Sequence, residues 1–313
     1  MLAYSPLRIG HLSTMYHTAF LLRGTQILAD RGIDARWKLF PSGPDIINAM
    51  HAGTLDLGYI GLPPVIIGID RGLSLACIAG GHVEGTIIIA GEDVNPLAAY
   101  SSMSEFLLQF SGKVIGTPPK GSIHDVIVNE LLREHGICDV TVKNYPWADF
   151  LSDALVQGEI AAAAGTPALA VTARRYGSAN LVVPPDQLWS FNPSYGIVVM
   201  RQMLEKRDLL LDFLSAHEAA SEMIRHDPLA CARVVAKTTG MVDEAFVMET
   251  YRISPKYCAA LPPEYVGSTM KFVRTLHALG YISHPVGEHA IFDQSLIRTI
   301  HTESHHYNDG IAI

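Results

Sequence analysis

The sequence predicts an α/β protein made of two similar lobes that face each other across a ligand cleft. Three observations predict it. Between Ser42 and Gly81, apolar segments of helical and strand period alternate with glycine and proline punctuation, the rhythm of a parallel sheet with helical connections. The same punctuation returns downstream. FLSDALVQGEIAAAAGTPALAVTARRYG can be laid under DIINAMHAGTLDLGYIGLPPVIIGIDRG, with Ala154 beneath Ala49, Gly158 beneath Gly53 and Ile160 beneath Leu55. After a one-residue slip Gly165 falls beneath Gly61 and Pro167 beneath Pro63; Gly177 then meets Gly72, and Ile115-Gly116 answers Ile9-Gly10. Turn residues repeated in order indicate a duplicated unit. Finally, 313 residues with 49% hydrophobic content suffice for two cores.

The elements follow in order. Leu7–Leu12 reads as the first strand, and Ser13 or Thr14 as the N-cap of a helix lasting to about Gly32. Ala35–Phe40 is the second strand, and Pro41-Ser42-Gly43-Pro44 opens a helix that stops at Gly53. Leu55–Ile60 is a strand, Gly61-Leu62-Pro63-Pro64 opens a helix to Gly72, and Leu73–Ala79 is the next strand. A Gly-rich loop, Gly80–Gly85, carries His82 ahead of the strand Thr86–Ala90. Gly91–Pro96 is read as the first crossing between lobes, followed by a short helix around Met103–Phe110.

Lobe two opens as lobe one does, with the strand Lys113–Thr117, the loop Pro118–His124 and the helix Asp125–His135. Val140–Tyr145 is a strand with Trp147 at its end, placed to stack on a ligand or to wedge the lobe. The second-copy helix, the strand Ile160–Ala164, Gly165-Thr166-Pro167 and the strand Leu181–Val183 complete that lobe. Pro184–Pro193 crosses back, and Tyr195–Met200 is an apolar strand of lobe one. From Arg201 the chain is almost wholly helical. The expected division is 1–92 plus 190–313 for lobe one and 93–189 for lobe two.

Composition removes several classes. A net charge of -8 argues against a nucleic-acid surface, and no apolar run is long enough to span a membrane. The four cysteines are scattered without a CxxC, so neither zinc nor disulfides are supported; Cys77 and Cys138 read as buried thiols in or beside strands. MLAYSPLRIG lacks a basic region followed by an apolar segment, so it is not a secretory signal as written.

In open α/β sheets ligands sit beyond the strand C-termini. The expected contacts are therefore Ser13, Thr14, Tyr16 and His17; Ser42 and Gly43; Gly61 and Leu62; His82; Thr117; Gly121, Ser122 and His124; Thr166; and Tyr195. Hydroxyls, amides and imidazoles suit an oxyanion or a polar heterocycle. No arginine stands in a cleft loop, so bidentate clamping of a carboxylate or sulfonate is not evident. Lys120 can add a charge or stay solvated. No nucleophile–base pair or metal cluster stands out, so no catalytic residue, metal or cofactor is expected. His301, His305 and His306 near the C-terminus offer a ligand-like spacing, but tail histidines are usually solvated.

Three runs carry a resemblance: AMHAGTLDLGYIGLPP, GKVIGTPPKGSIHDVIVNELLREHGI, and the late LPPEYV with LHALGYI. Together they resemble the substrate-binding proteins of ABC importers in the nitrate/sulfonate/bicarbonate group, the NMT1-like family. The resemblance covers nearly the whole chain. It implies a two-lobed periplasmic-binding-protein-like fold of type II with two chain crossings. It also implies a monomer that captures a small polar or anionic ligand by lobe closure, hands it to an ABC permease and is not an enzyme. It places the protein outside the cytoplasm, whereas Met1 as true start would leave it inside. The alternative is a cytoplasmic enzyme on the same fold acting on a small cofactor precursor, of the thiamin-pyrimidine or futalosine-pathway type. His17, His82 and His124 would then be acid/base candidates. One departure is that the second copy has Ala161 where the first has Asp56.

Overall fold

A computed structural model describes residues 6–177 and 179–312. Met1–Ser5, read above for a leader, lie outside the described residues. The first half runs β1 (Leu7–His11), α1 (Ala19–Gly24), β2 (Ala35–Leu39), α2 (Gly43–His51), β3 (Leu57–Ile60), α3 (Leu62–Asp70), β4 (Leu75–Val83) and β5 (Ile87–Gly91). The second begins with α4 (Met103–Leu108) and runs β6 (Val114–Thr117), α5 (Ile123–Glu134), β7 (Thr141–Asn144), α6 (Phe150–Val156), β8 (Ala162–Gly165), α7 (Pro167–Tyr176) and β9 (Ala179–Val183). The chain ends with β10 (Pro193–Met200), α8 (Arg207–His226), α9 (Pro228–Thr239), α10 (Glu244–Ile253), α11 (Pro263–Ala278), α12 (Glu288–Ile291) and α13 (Ile297–Ile300).

The strands form two five-stranded sheets, β2-β1-β3-β10-β4 and β7-β6-β8-β5-β9. Order and direction match. β1 runs parallel to β2 and β3, and β6 parallel to β7 and β8, while β10 and β5 are the antiparallel fourth strands. Each antiparallel strand enters its sheet directly after the chain has left the other one. The copies agree in side-chain detail too. A Cβ on Gly10 would stand 2.6 Å from Leu55 Cδ1, and one on Gly116 would stand 2.5 Å from the aligned Ile160 Cδ1. Both glycines let the preceding strand lie against an apolar side chain. Gly53 and Gly158 both take left-handed backbone, φ 66 and 70, where a glycine ends the helix without strain.

Several expectations change. The helix expected from Ser13 to Gly32 is only α1, because the segment ahead of it folds into turns, with the His17 N–H on Thr14 O at 3.0 Å. Helix α1 stops early because Gly24 lies against Val234 and Thr238 of α9 and Thr25 turns extended. The Gly80–Gly85 loop is largely strand, since β4 continues through Val83. Its glycines are not turn residues: a Cβ on Gly81 would meet the Tyr195 ring at 2.0 Å and one on Gly80 the Tyr307 hydroxyl at 2.1 Å. Close packing, not a bend, requires them.

The expected crossing at Gly91–Pro96 moves upstream, because β5 already pairs with β8 and β9 and the chain leaves the first sheet at Glu84–Thr86. The slip in the internal alignment disappears, since Gly61 caps α3 as Thr166 caps α7. Gly177 departs from Gly72, being extended at φ -130 where Gly72 has φ 92. Cys138 is exposed, in the turn between α5 and β7, while Cys77, Cys231 and Cys258 are buried thiols.

The first sheet and the C-terminal helices share one large apolar core, which also takes in Ile123, Val126 and Ile127 of α5. Separate clusters fill the two faces of the second sheet. Asp56, unmatched in the second copy, has a structural role: it receives Arg8 bidentately at 2.7 and 3.0 Å and ties β1 to the start of β3.

Candidate ligand cavity between the lobes

The six loops that follow the parallel strands, three from each sheet, meet at one cavity of about 50 Å³. Leu12, Ser13, Thr14, Tyr16 and His17 come from the loop after β1, Pro41, Ser42 and Gly43 from that after β2, and Gly61 and Pro64 from that after β3. The second sheet contributes Pro118, Ser122, Ile123 and His124 after β6, Ala148 after β7 and Thr166 after β8. Ser194, on the crossing strand β10, completes the wall. The loops converge because a parallel strand delivers its loop to the same sheet edge each time, and two matching sheets present those edges to each other.

Among the described residues, the wall contains no lysine or arginine. Its two histidines are held neutral by burial: His124 is lowered to about 4, and His17 is pushed well below the ordinary imidazole value. His124 Nδ1 lies 3.0 Å from Thr86 Oγ1, in the segment that leaves the first sheet. Two polar atoms of the wall have no protein partner, Thr14 Oγ1 and His17 Nδ1. Burying such atoms unpaired costs about 1–3 kcal/mol each.

Four helix N-termini reach the wall, but they are poor in amides. Pro44, Pro63, Pro64 and Pro167 remove first-turn donors. The hydroxyls of Ser42 and Ser122 accept the N–H groups of Asp45 and Asp125 at 3.3 Å, capping α2 and α5. Among the described wall residues, the first-turn amides of Gly43, Ile123 and His124 carry no proline ring and meet no side-chain cap. On the rim, Ser13 Oγ stands 3.5 Å from both Asp149 Oδ1 and Trp147 Nε1, a long contact between the lobes. Burial raises the Asp149 carboxyl above its usual range, with the Ser13 bond opposing.

Ten of the fifteen expected residues thus border the cavity: Ser13, Thr14, Tyr16, His17, Ser42, Gly43, Gly61, Ser122, His124 and Thr166. Five do not. His82 is fully buried in β4, under Tyr16 and Tyr257 with ring centroids at 4.7 Å, and its Nε2 meets Ser254 O at 2.7 Å. Tyr195 is committed to a polar chain inside lobe one. His217 Nε2 lies 2.8 Å from Gly80 O and must donate, so its Nδ1 accepts from Thr18 Oγ1, which in turn accepts from the Tyr195 hydroxyl at 3.2 Å. Thr117 donates to Pro118 O and accepts from Asn144 at 2.8 Å. Leu62 is interior, and Gly121 packs toward Ile67 of α3. Lys120 stands over the Tyr281 ring at 5.6 Å instead of entering the cavity.

Ser194 and the apolar wall residues were not anticipated. Ser194 precedes Tyr195, and strand residues alternate faces, so one step of parity sends Ser194 to the cavity and Tyr195 to the core. Sequence period alone does not say which face is which. The apolar residues follow strands just as the polar ones do, which was the available signal.

Comparison with known proteins adds the following. A family model described as "NMT1-like family" matches residues 4–240. No curated protein matches the chain by sequence. Among solved structures, the chain is similar to a ligand-binding component of an ABC-type import system from Staphylococcus aureus with zinc bound, at 14% identity and TM-score 0.80, covering 96% of this chain and 100% of that one. It is similar to the periplasmic aliphatic sulphonate binding protein SsuA from Escherichia coli, at 19% identity and TM-score 0.77, covering 93% and 92%. It is also similar to the periplasmic nitrate-binding protein NrtA from Synechocystis, at 12% identity and TM-score 0.76, covering 94% and 88%. These similarities fix the fold, a two-lobed binding-protein architecture.

Proposed function

The chain belongs to the NMT1-like family, and from that premise we propose that it is a solute-binding protein that closes its two lobes on a small polar ligand and delivers it to an ABC permease. The observation that carries this reading is the convergence of the six loops after the parallel strands on one cavity between the sheets. A ligand touching both walls binds only the shut form and so shifts the population toward it. The closing bodies are residues 6–84 with 193–312, and 87–183. Sulphonate, nitrate and import-linked binding among the similar structures supports the permease partner and a site of action outside the cytoplasm. No helix among the described residues is long and apolar enough to cross a membrane.

The wall chemistry narrows the ligand. Without a cation, with neutral histidines and with Asp149 at the rim, the cavity disfavours a strongly charged anion, whose burial would go uncompensated. It favours a small, mainly uncharged polar ligand that can pair with the wall's hydroxyls, neutral imidazoles and free first-turn amides. Native mass spectrometry of freshly purified protein identifies the ligand, and calorimetry on parent, Thr14→Val and His124→Ala tests the site. Weakened binding in both variants, with folds intact, is the expected result. Parent-like binding in both rejects the cavity as the site.

A further inference from the structure

Away from the cleft, the fold assembles a group of metal-ligand type that sequence spacing did not reveal. Glu218 on α8, Cys258 after α10 and His301 just past α13 each offer one ligand atom, and the three atoms lie within 4.8 Å of one another. A second trio on the same scale, His301, Glu303 and His306, shares His301. Cys258 Sγ is 3.4 Å from His301 Nε2. That is close to the ligand–ligand edge of a tetrahedral site, about 3.6 Å for ordinary Zn–S and Zn–N bond lengths.

The donors are braced from behind. Glu218 accepts from the Ala259 N–H at 2.9 Å and from Arg225 at 3.1 Å. His306, with one ring nitrogen on Asp309 at 2.7 Å and the other on Glu303 at 3.1 Å, holds the Glu303 carboxylate beside His301. Such supporting bonds orient metal ligands. His301 and Glu303 line an open groove of about 760 Å³, which gives an ion a way in. The tail histidines are only partly exposed; His305 lines the same groove and lies against Phe191 and Tyr307.

We propose that Cys258, His301 and Glu218 form a binding site for a borderline divalent cation of the zinc class, with the exposed Glu303 side chain, which lies beside the His301 donor, turning in as the fourth donor. The donor set of thiolate, imidazole and carboxylate selects zinc over magnesium or calcium. Coordination forms the sulfur–metal bond and releases the Cys258 thiol proton to solvent, with no change of oxidation state. The charges then balance: one thiolate and the carboxylates of Glu218 and Glu303 face the divalent ion and Arg225. A bound ion would staple the C-terminal tail to α8.

The test uses the full chain, stripped with chelator and titrated with zinc(II) or cobalt(II). The parent binds one ion per chain, shows a thiolate-to-cobalt charge-transfer band, and gains thermal stability that chelator reverses. Cys258→Ser abolishes the band, His301→Ala weakens zinc binding more than about 100-fold, and Glu303→Gln weakens it by up to about 10-fold. Should Cys258→Ser not fold, His301→Ala and Glu303→Gln decide the matter. A parent with no thiolate–cobalt band, or a His301→Ala variant that binds zinc like the parent, overturns the site and leaves a buried thiol–imidazole hydrogen bond.

Discussion

The Glu84 carboxylate accepts the backbone N–H of Phe191 at 2.9 Å, and both residues hold left-handed backbone, φ 61 and 57. They are the two non-glycine residues of positive φ among those described. Glu84 lies where the chain leaves the first sheet and Phe191 where it returns, so one hydrogen bond joins the two crossings. Its mate runs from the Glu84 N–H to Asn192 O at 2.8 Å, and Lys256 pairs with the same carboxylate at 2.6 Å. Left-handed backbone at such residues persists only where surroundings enforce it. Here the two crossings enforce it on each other, and on the proposed function this is where lobe closure would bend.

Glu84→Gln keeps a group that accepts from Phe191 but strands the Lys256 ammonium. Lys256 is part-exposed, at 29%, so water recovers some of the loss and the expected destabilisation is about 1–3 kcal/mol, below that of a fully buried pair. Urea unfolding at neutral pH measures it, and parent-like stability would show that the pair does not brace the crossings.

Helix caps around the cavity should separate stability from binding. Ser42→Ala and Ser122→Ala each remove a cap bond, at about 0.5–2 kcal/mol. The Thr166 side chain makes no cap bond, so Thr166→Ala should cost under about 0.5 kcal/mol while still weakening the ligand. Equal loss of stability in all three variants contradicts this division.

Buried neutral histidines give the protein an acid limit. Burial lowers His82 to about 3, and His11 and His124 to about 4, and it also lowers His17 and His217. Their folded values lie below the unfolded value of about 6.5, so the unfolded chain binds more protons between them. Stability is therefore full above about pH 6.5 and falls as pH drops toward 4, by up to about 1.4 kcal/mol per pH unit for each histidine. For His306, burial lowers the value but the bonds to Asp309 and Glu303 raise it further, so its small contribution runs the other way. Denaturation curves between about pH 7.5 and pH 5 should show net proton uptake on unfolding. A flat profile would mean that these rings find water or partners in the native state.

The seam between α5 and the C-terminal region should bias the closed form. Tyr281 donates to Asp125 at 2.7 Å, and Thr275 donates to Glu130 at 3.0 Å. Tyr281→Phe combined with Thr275→Ala should enlarge the ligand-free radius of gyration in small-angle scattering, and saturating ligand should restore it. An unchanged radius in both states places the closure contacts elsewhere.

The sequence by itself determined the repeated strand–loop–helix order, because glycine, proline and apolar period act locally and leave their mark at each turn. Gly53 and Gly158 show it: each ends a helix in left-handed backbone, so each is readable from the chain alone. The same local logic put ten of the expected residues in loops that border the cavity, among them Ser42 and Ser122, which cap α2 and α5. Tertiary structure decided the rest. Gly80 and Gly81 looked like a loop because a glycine required by a distant tyrosine ring is spelled like a glycine required by a bend. His82 and Tyr195 became core groups, and Ser194 a wall residue, through strand parity and through contacts with Ser254, Thr18 and His217. Cys258 and Glu218 came to His301 only because α8 and the tail pack together. Contacts between residues far apart in sequence depend on the whole fold, and no local pattern encodes them.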